Sequence, residues 1–147
     1  MSGTFQNSLL ITSETRNLQR VRAFLGECIV RSGYVPAEWQ NKITLAVDEA
    51  VSNIIEHAYD KEEHGQQGEI NIVIEATHER FEIVIIDSGK EFDPDTIPEV
   101  DISTHVQAGR KSGLGIFLMR RIMDEVRYTF KEGIKNELRM VKYFRKK

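Results

Sequence analysis

The stretch that decides the fold runs from Asn41 to Tyr59 and reads NKITLAVDEAVSNIIEHAY. Ile43, Ala46, Val47, Ala50, Ile54 and Ala58 recur at helical spacing, so one apolar stripe must face a core. Glu49, Asn53 and His57 form a second row along its border, each four residues from the last. Side chains four apart stack on one helix face, which lines up a carboxylate, an amide and an imidazole. Alone, such a row is the solvated edge of an amphipathic helix. Two later stretches change its meaning: an acid–glycine turn after a strand, and a glycine-rich loop before a helix.

The 147 residues predict a single domain, 1–147, with one core. A hydrophobic share of 40% and a charged share of 29% are ordinary for a soluble globular chain. A formal net charge of -3 supplies no basic field for sequence-independent binding, so no nucleic acid partner is expected. Lys142, Arg145, Lys146 and Lys147 form a small basic cluster, read as a solvated tail. With no run of about 18 apolar residues, no membrane span is expected. The opening MSGTFQNSLLITSETR lacks the basic start and long apolar region of a secretory signal. Cys28, the single cysteine, excludes an internal disulfide and fits a reducing compartment. His57, His64, His78 and His105 are scattered without metal-ligand spacing, so zinc is not expected.

Outward from the organising helix, Ser8 to Ile11 reads as a first strand. Thr12-Ser13-Glu14 offers caps for a helix whose apolar positions are Leu18, Val21, Phe24, Leu25 and Cys28. That helix should stop near Gly33, with Pro36 just inside the next start. Downstream, Asp60 to Gly68 reads as a polar loop. Ile70, Ile72 and Ile74, then Phe81, Ile83 and Ile85, alternate as two strands joined through Thr77-His78-Glu79-Arg80, an antiparallel hairpin. Ser88 to Ser112 is a long irregular connection of the kind that forms lids or stays disordered. A helix over Gly113 to Met123 follows, then strands carrying Val126, Tyr128, Phe130 and Leu138, Met140, Lys142, with Gly133 at their turn. The expected class is a two-layer α/β (α+β) sandwich, helices covering one face of a mixed, mostly antiparallel sheet.

Asp87 ends the second hairpin strand on the face of Phe81, Ile83 and Ile85, the face the helices must cover. A carboxylate buried there needs a partner, because burying it alone costs several kcal/mol. A ligand amino group such as adenine's would supply a donor without a second charge. Gly89 then lets backbone approach a flat base. Gly109 to Gly115, GRKSGLG, precedes a helix whose free N–H groups suit phosphate oxygens, with Arg110 and Lys111 adding charge. The loop is neither a Walker A motif nor a dinucleotide fingerprint.

In this order and at these separations the three elements resemble the nucleotide-binding boxes of a large ATPase/kinase superfamily. Its members include gyrase, the ninety-kilodalton heat-shock chaperone, histidine kinases and the mismatch-repair ATPases. Glu49-Ala-Val-Ser-Asn53-Ile-Ile-Glu-His57 resembles the N box, and Asp87-Ser-Gly89-Lys-Glu-Phe92-Asp93-Pro94 the first glycine box. Ser112-Gly-Leu-Gly115-Ile-Phe-Leu-Met119, followed by Met123-Asp124-Glu125-Val126, resembles the second, in the form found in the anti-sigma factor serine-protein kinases. The resemblance covers nearly the whole chain, from the first strand to Lys142.

The resemblance implies a Bergerat-type, histidine-kinase-like ATP-binding fold, with ATP and Mg²⁺ as cofactors. Glu49 would be the general base, Asn53 the magnesium ligand, and His57 a neighbour of the phosphates. Asp87 would bond the adenine amino group and Gly89 would admit the base. Arg110, Lys111, Ser112, Gly113, Leu114 and Gly115 would wrap the phosphates, and Asn136 would serve the nucleotide from the closing strand. Two positions depart from the family pattern. Glu91, after Lys90, stands where many relatives carry a second glycine, and Lys135-Asn136 stands where Gly-Thr is frequent.

The implied activity is serine-protein kinase and anti-sigma factor in the bacterial cytoplasm, phosphorylating a STAS-type antagonist and alternately holding a sigma factor. Arg16 and Arg20 on the first helix would form part of the docking face, and a homodimer is a further expectation. The alternative is a module that uses ATP as a conformational ligand with little transfer. A piece of a larger ATPase machine or a sensor histidine kinase is disfavoured, since neither a transducer domain nor a phospho-accepting helical hairpin is read in the chain.

Overall fold

The computed structural model describes residues 3–58, 68–87, 119–131 and 135–144. Strand β1 (Phe5–Thr12) leads through a 3-10 turn (Thr15–Asn17) into α1 (Leu18–Ser32) and α2 (Ala37–Ala58). The hairpin β2 (Glu69–Ala76) and β3 (Arg80–Asp87) follows, then a helical stretch at 119–122, β4 (Glu125–Lys131) and β5 (Lys135–Tyr143). The strands form one sheet in the order β1-β2-β3-β5-β4. Every neighbouring pair is antiparallel, so the mixed sheet that the sequence left open resolves to an antiparallel one.

Alternation drives the layering. Ile70, Ile72 and Ile74 of β2, Phe81, Ile83 and Ile85 of β3, and Leu138 and Met140 of β5 are buried in one cluster. Val21, Phe24, Leu25 and Cys28 of α1 and Ile43, Ala46, Val47, Ala50 and Ile54 of α2 complete it, so both helices cover the same sheet face. The opposite face carries an ionic lattice in which Arg80 pairs with Glu75 and Arg139 with Glu82.

Helix α1 stops where the sequence predicts. Gly33 adopts φ 71°, and its N–H bonds the Ile29 carbonyl at 3.3 Å. Glycine enters this left-handed region without the penalty a Cβ brings. The start differs from expectation. Ser13 does not cap α1; its backbone N–H donates to the Gly68 carbonyl (2.9 Å) and its Oγ accepts from the Gly68 N–H (3.0 Å), tying β1 to the start of β2. The turn at Thr15–Asn17 intervenes, and Asn17 donates its side-chain amide back to the Thr12 carbonyl and hydroxyl. Helix α2 begins at Ala37, directly after Pro36, so it extends one turn N-terminal to the stretch read first.

The lid, with Gly89, Lys90, Glu91, Arg110, Lys111, Ser112, Gly113, Leu114 and Gly115, lies outside the described residues. So do the His57 and Phe130 side chains, the 60–67 loop, Gly133 and the first part of the predicted 113–123 helix.

Candidate functional site

Backbone register assembles the site from two distant strands. Across the inner face, Ile70 lies opposite Asp87, and Asp87 opposite Asn136. Asp87 is the last residue of β3, so the alternation that buries Phe81, Ile83 and Ile85 carries its carboxylate into the same layer. Both polar residues are only 3% exposed. Asn136 Nδ2 donates to Asp87 Oδ1 at 3.0 Å, a buried bond between side chains 49 positions apart. The partner that the sequence reading sought for Asp87 in a ligand is therefore supplied first by the protein. The Asn136 amide orients one oxygen of a group that has about four acceptor sites.

Helix α2 contributes the second part. Glu49 sits half-buried on the border of the apolar stripe, and Asn53, one turn on, is buried. Asn53 Nδ2 meets no hydrogen-bond acceptor among the described residues. A buried amide N–H without an acceptor costs about 1–3 kcal/mol. Such a group fits a site whose ligand brings oxygens: Nδ2 can donate to a phosphate oxygen, and Oδ1 can serve a hard cation such as Mg²⁺. Asn53, Asp87 and Asn136 are thus all buried, and Glu49 is half-buried one turn before Asn53.

Arg16 and Arg20, the predicted docking residues, are exposed on the first turn of this layer, and Arg16 pairs with Glu14 at 2.6 Å. A neighbouring arginine escaped the sequence reading. Arg22 Nε and Nη2 donate to the two oxygens of Asp48 at 2.8 and 3.1 Å, clamping α1 to α2 one residue before Glu49. The Asp48 bond and charge raise the Arg22 pKa, and the nearby Glu49 charge adds to this. The signal was present: Arg22 and Asp48 both lie 13 positions from Val35, at the middle of a short helix–helix connection. Cys28 is no candidate nucleophile, because burial pushes its thiol up to about 11.

At the opposite end of the inner face, Lys142 lies opposite Phe81. Its Nζ sits 3.7 Å from the centre of the Trp39 ring and 3.4 Å from Asp124 Oδ1. Pro36, Trp39, Asp124, Lys142 and Phe144 line an open cleft of about 600 Å³ there. The sequence reading counted Lys142 in a solvated basic tail as well as in the inward row of its strand; it is buried against Trp39 and Asp124, which corrects the first of these.

A profile of the histidine kinase-like ATPase domain matches residues 11–142. The chain belongs to this family. Membership accounts for the sheet with helices on one face. Among curated relatives, serine-protein kinase RsbW of Staphylococcus aureus strain MSSA476 is 38% identical over 106 residues. The match covers 69% of this chain and 64% of that protein. The same protein from strain Newman matches with the same identity and coverage. The chain thus spans under two thirds of the length of these relatives. The fold also matches a crystal structure of the RsbU and RsbW domains of Rv1364c from Mycobacterium tuberculosis. That likeness has a TM-score of 0.63 at 18% identity and covers 95% of this chain and 33% of the other. Among the described residues, no helix of this ATPase-family chain is long and apolar enough to cross a membrane.

Proposed function

We propose that the protein is an ATP- and Mg²⁺-dependent serine-protein kinase that acts as an anti-sigma factor. It would phosphorylate a small STAS-type antagonist and, in the alternate state, hold a sigma factor. The observation that carries this reading is the buried Asp87–Asn136 pair, in a fold whose α2 carries Glu49 and the buried Asn53 one turn apart. Similarity to the RsbW kinases supports the choice of protein serine over other phosphate acceptors.

In this reading Asp87, oriented by Asn136, accepts a hydrogen bond from the adenine amino group. Asn53 holds the phosphate end through its amide, with His57 nearby. Bound Mg²⁺ would neutralise phosphate charge, which is where much of the rate arises in phosphoryl transfer. Glu49 takes the proton of the attacking serine hydroxyl, or orients a water when no substrate is present. Gly89 admits the base, and Arg110, Lys111, Ser112, Gly113, Leu114 and Gly115 close on the phosphates. Arg16 and Arg20 offer exposed positive charge for docking of the partners.

The test is incubation with ATP, Mg²⁺ and a candidate antagonist. Phosphoserine should appear on the antagonist and fall by about 10²–10⁴-fold in Glu49→Ala, the usual worth of a general base. Nucleotide-dependent partner binding without phosphoserine would instead establish a binding module.

A further inference from the structure

Two helices carry the groups that flank Glu49, and the Arg22–Asp48 ion pair joins them. Arg22 emerges from α1 between the core residues Val21 and Phe24, and Asp48 emerges from α2 between Val47 and the half-buried Glu49. Arg22 bonds both Asp48 oxygens, and the Asp48 side chain is only 18% exposed against 51% for Arg22. Such fork-to-fork geometry sets orientation as well as distance. It also separates this pair from the single-bond surface pair of Arg31 with Glu27 within α1.

We propose that Arg22, through its clamp on Asp48, is a positioning residue for Glu49. Successive residues on a helix point about 100° apart, so holding Asp48 against α1 sets the direction in which Glu49 leaves α2. With side chains about 5–6 Å from the axis, a rotation of roughly 10° moves a carboxylate by about 1 Å. A displacement of that size costs up to about 10²-fold in a reaction that depends on alignment. The inference rests on the general-base reading of Glu49 given above.

The test uses the full chain with MgATP and no protein partner, so a lost docking contact cannot mimic the effect. Phosphate release, kcat and KM for ATP, Mg-ADP affinity by calorimetry and Tm are measured for wild type, Arg22→Gln, Asp48→Asn, the double variant and Arg22→Lys. Each single neutral variant should lower kcat at least about tenfold, with KM and Mg-ADP affinity within about twofold of wild type. The double variant should be no worse than either single one, and Arg22→Lys should recover part of the loss. Unchanged kcat in Arg22→Gln, or nucleotide affinity falling in step with kcat, overturns the inference and leaves the kinase reading intact. If Glu49→Ala releases phosphate as fast as wild type, Glu49 is not the base and the inference falls with it.

Discussion

The inner face of the sheet carries a buried polar group at each end, and the two are satisfied differently. At one end Asp87 meets the neutral amide of Asn136. At the other, Lys142 meets the carboxylate of Asp124 and the face of Trp39. Two fully apolar pairs of β3 and β5, Ile85 with Leu138 and Ile83 with Met140, separate them. Six residues of β5 span roughly 20 Å, so the ends are too far apart to share a ligand of ordinary size. An ion pair backed by a ring is closed chemistry: its charges are matched and the ring covers the cation. A carboxylate oriented by a neutral amide carries a charge that no cation in the pair cancels. The first arrangement fastens α2 to the sheet, and the second is suited to recognising a donor.

The comparison can be broken first at the recognition end. Asp87→Asn keeps the shape and removes the charge; nucleotide affinity measured by calorimetry should fall about 100-fold, the upper range for a hydrogen bond to an ionised group. Equal affinity in the variant would show that Asp87 is structural, like Lys142. Asn136→Leu should weaken nucleotide binding about tenfold, because Asp87 loses the donor that aims it. Asn136→Thr, which keeps a hydroxyl donor, should recover most of that affinity, and failure to do so would detach Asn136 from the role given to it.

At the fastening end the signs reverse. Lys142→Met should lower stability by about 1 kcal/mol, since Asp124 stays partly solvated when its partner is lost. Thermal unfolding should shift down by about 3–5 °C with nucleotide affinity unchanged. An affinity loss there would mean that the two ends are coupled through the sheet. The smallest effect is optical. Trp39 is the single tryptophan, and its emission should stay within a few per cent when MgATP is added, because its surroundings lie at the far end.

Much of this was legible in the chain. The stripe from Ile43 to Ala58 and the two-residue alternation through Ile70 to Ile85 were enough to orient α2, β2 and β3, because period alone dictates which side chains share a face. Gly33 marked the end of α1 for the same local reason, its freedom at positive φ. Parity also placed Asp87 among buried neighbours. Ser13 was misread because a hydroxyl before a helix suits a cap or a strand-end bond equally well, and only Gly68, 55 positions away, selects between them.

The sequence by itself determined periods, faces and stops, since these depend on residues close along the chain. The tertiary structure alone decided the order β3-β5-β4, which lays Asn136 beside Asp87 and Lys142 opposite Phe81. It also decided the helix pairing that joins Arg22 to Asp48. Those choices follow from burying the whole apolar surface at once, and no local window of sequence contains that sum.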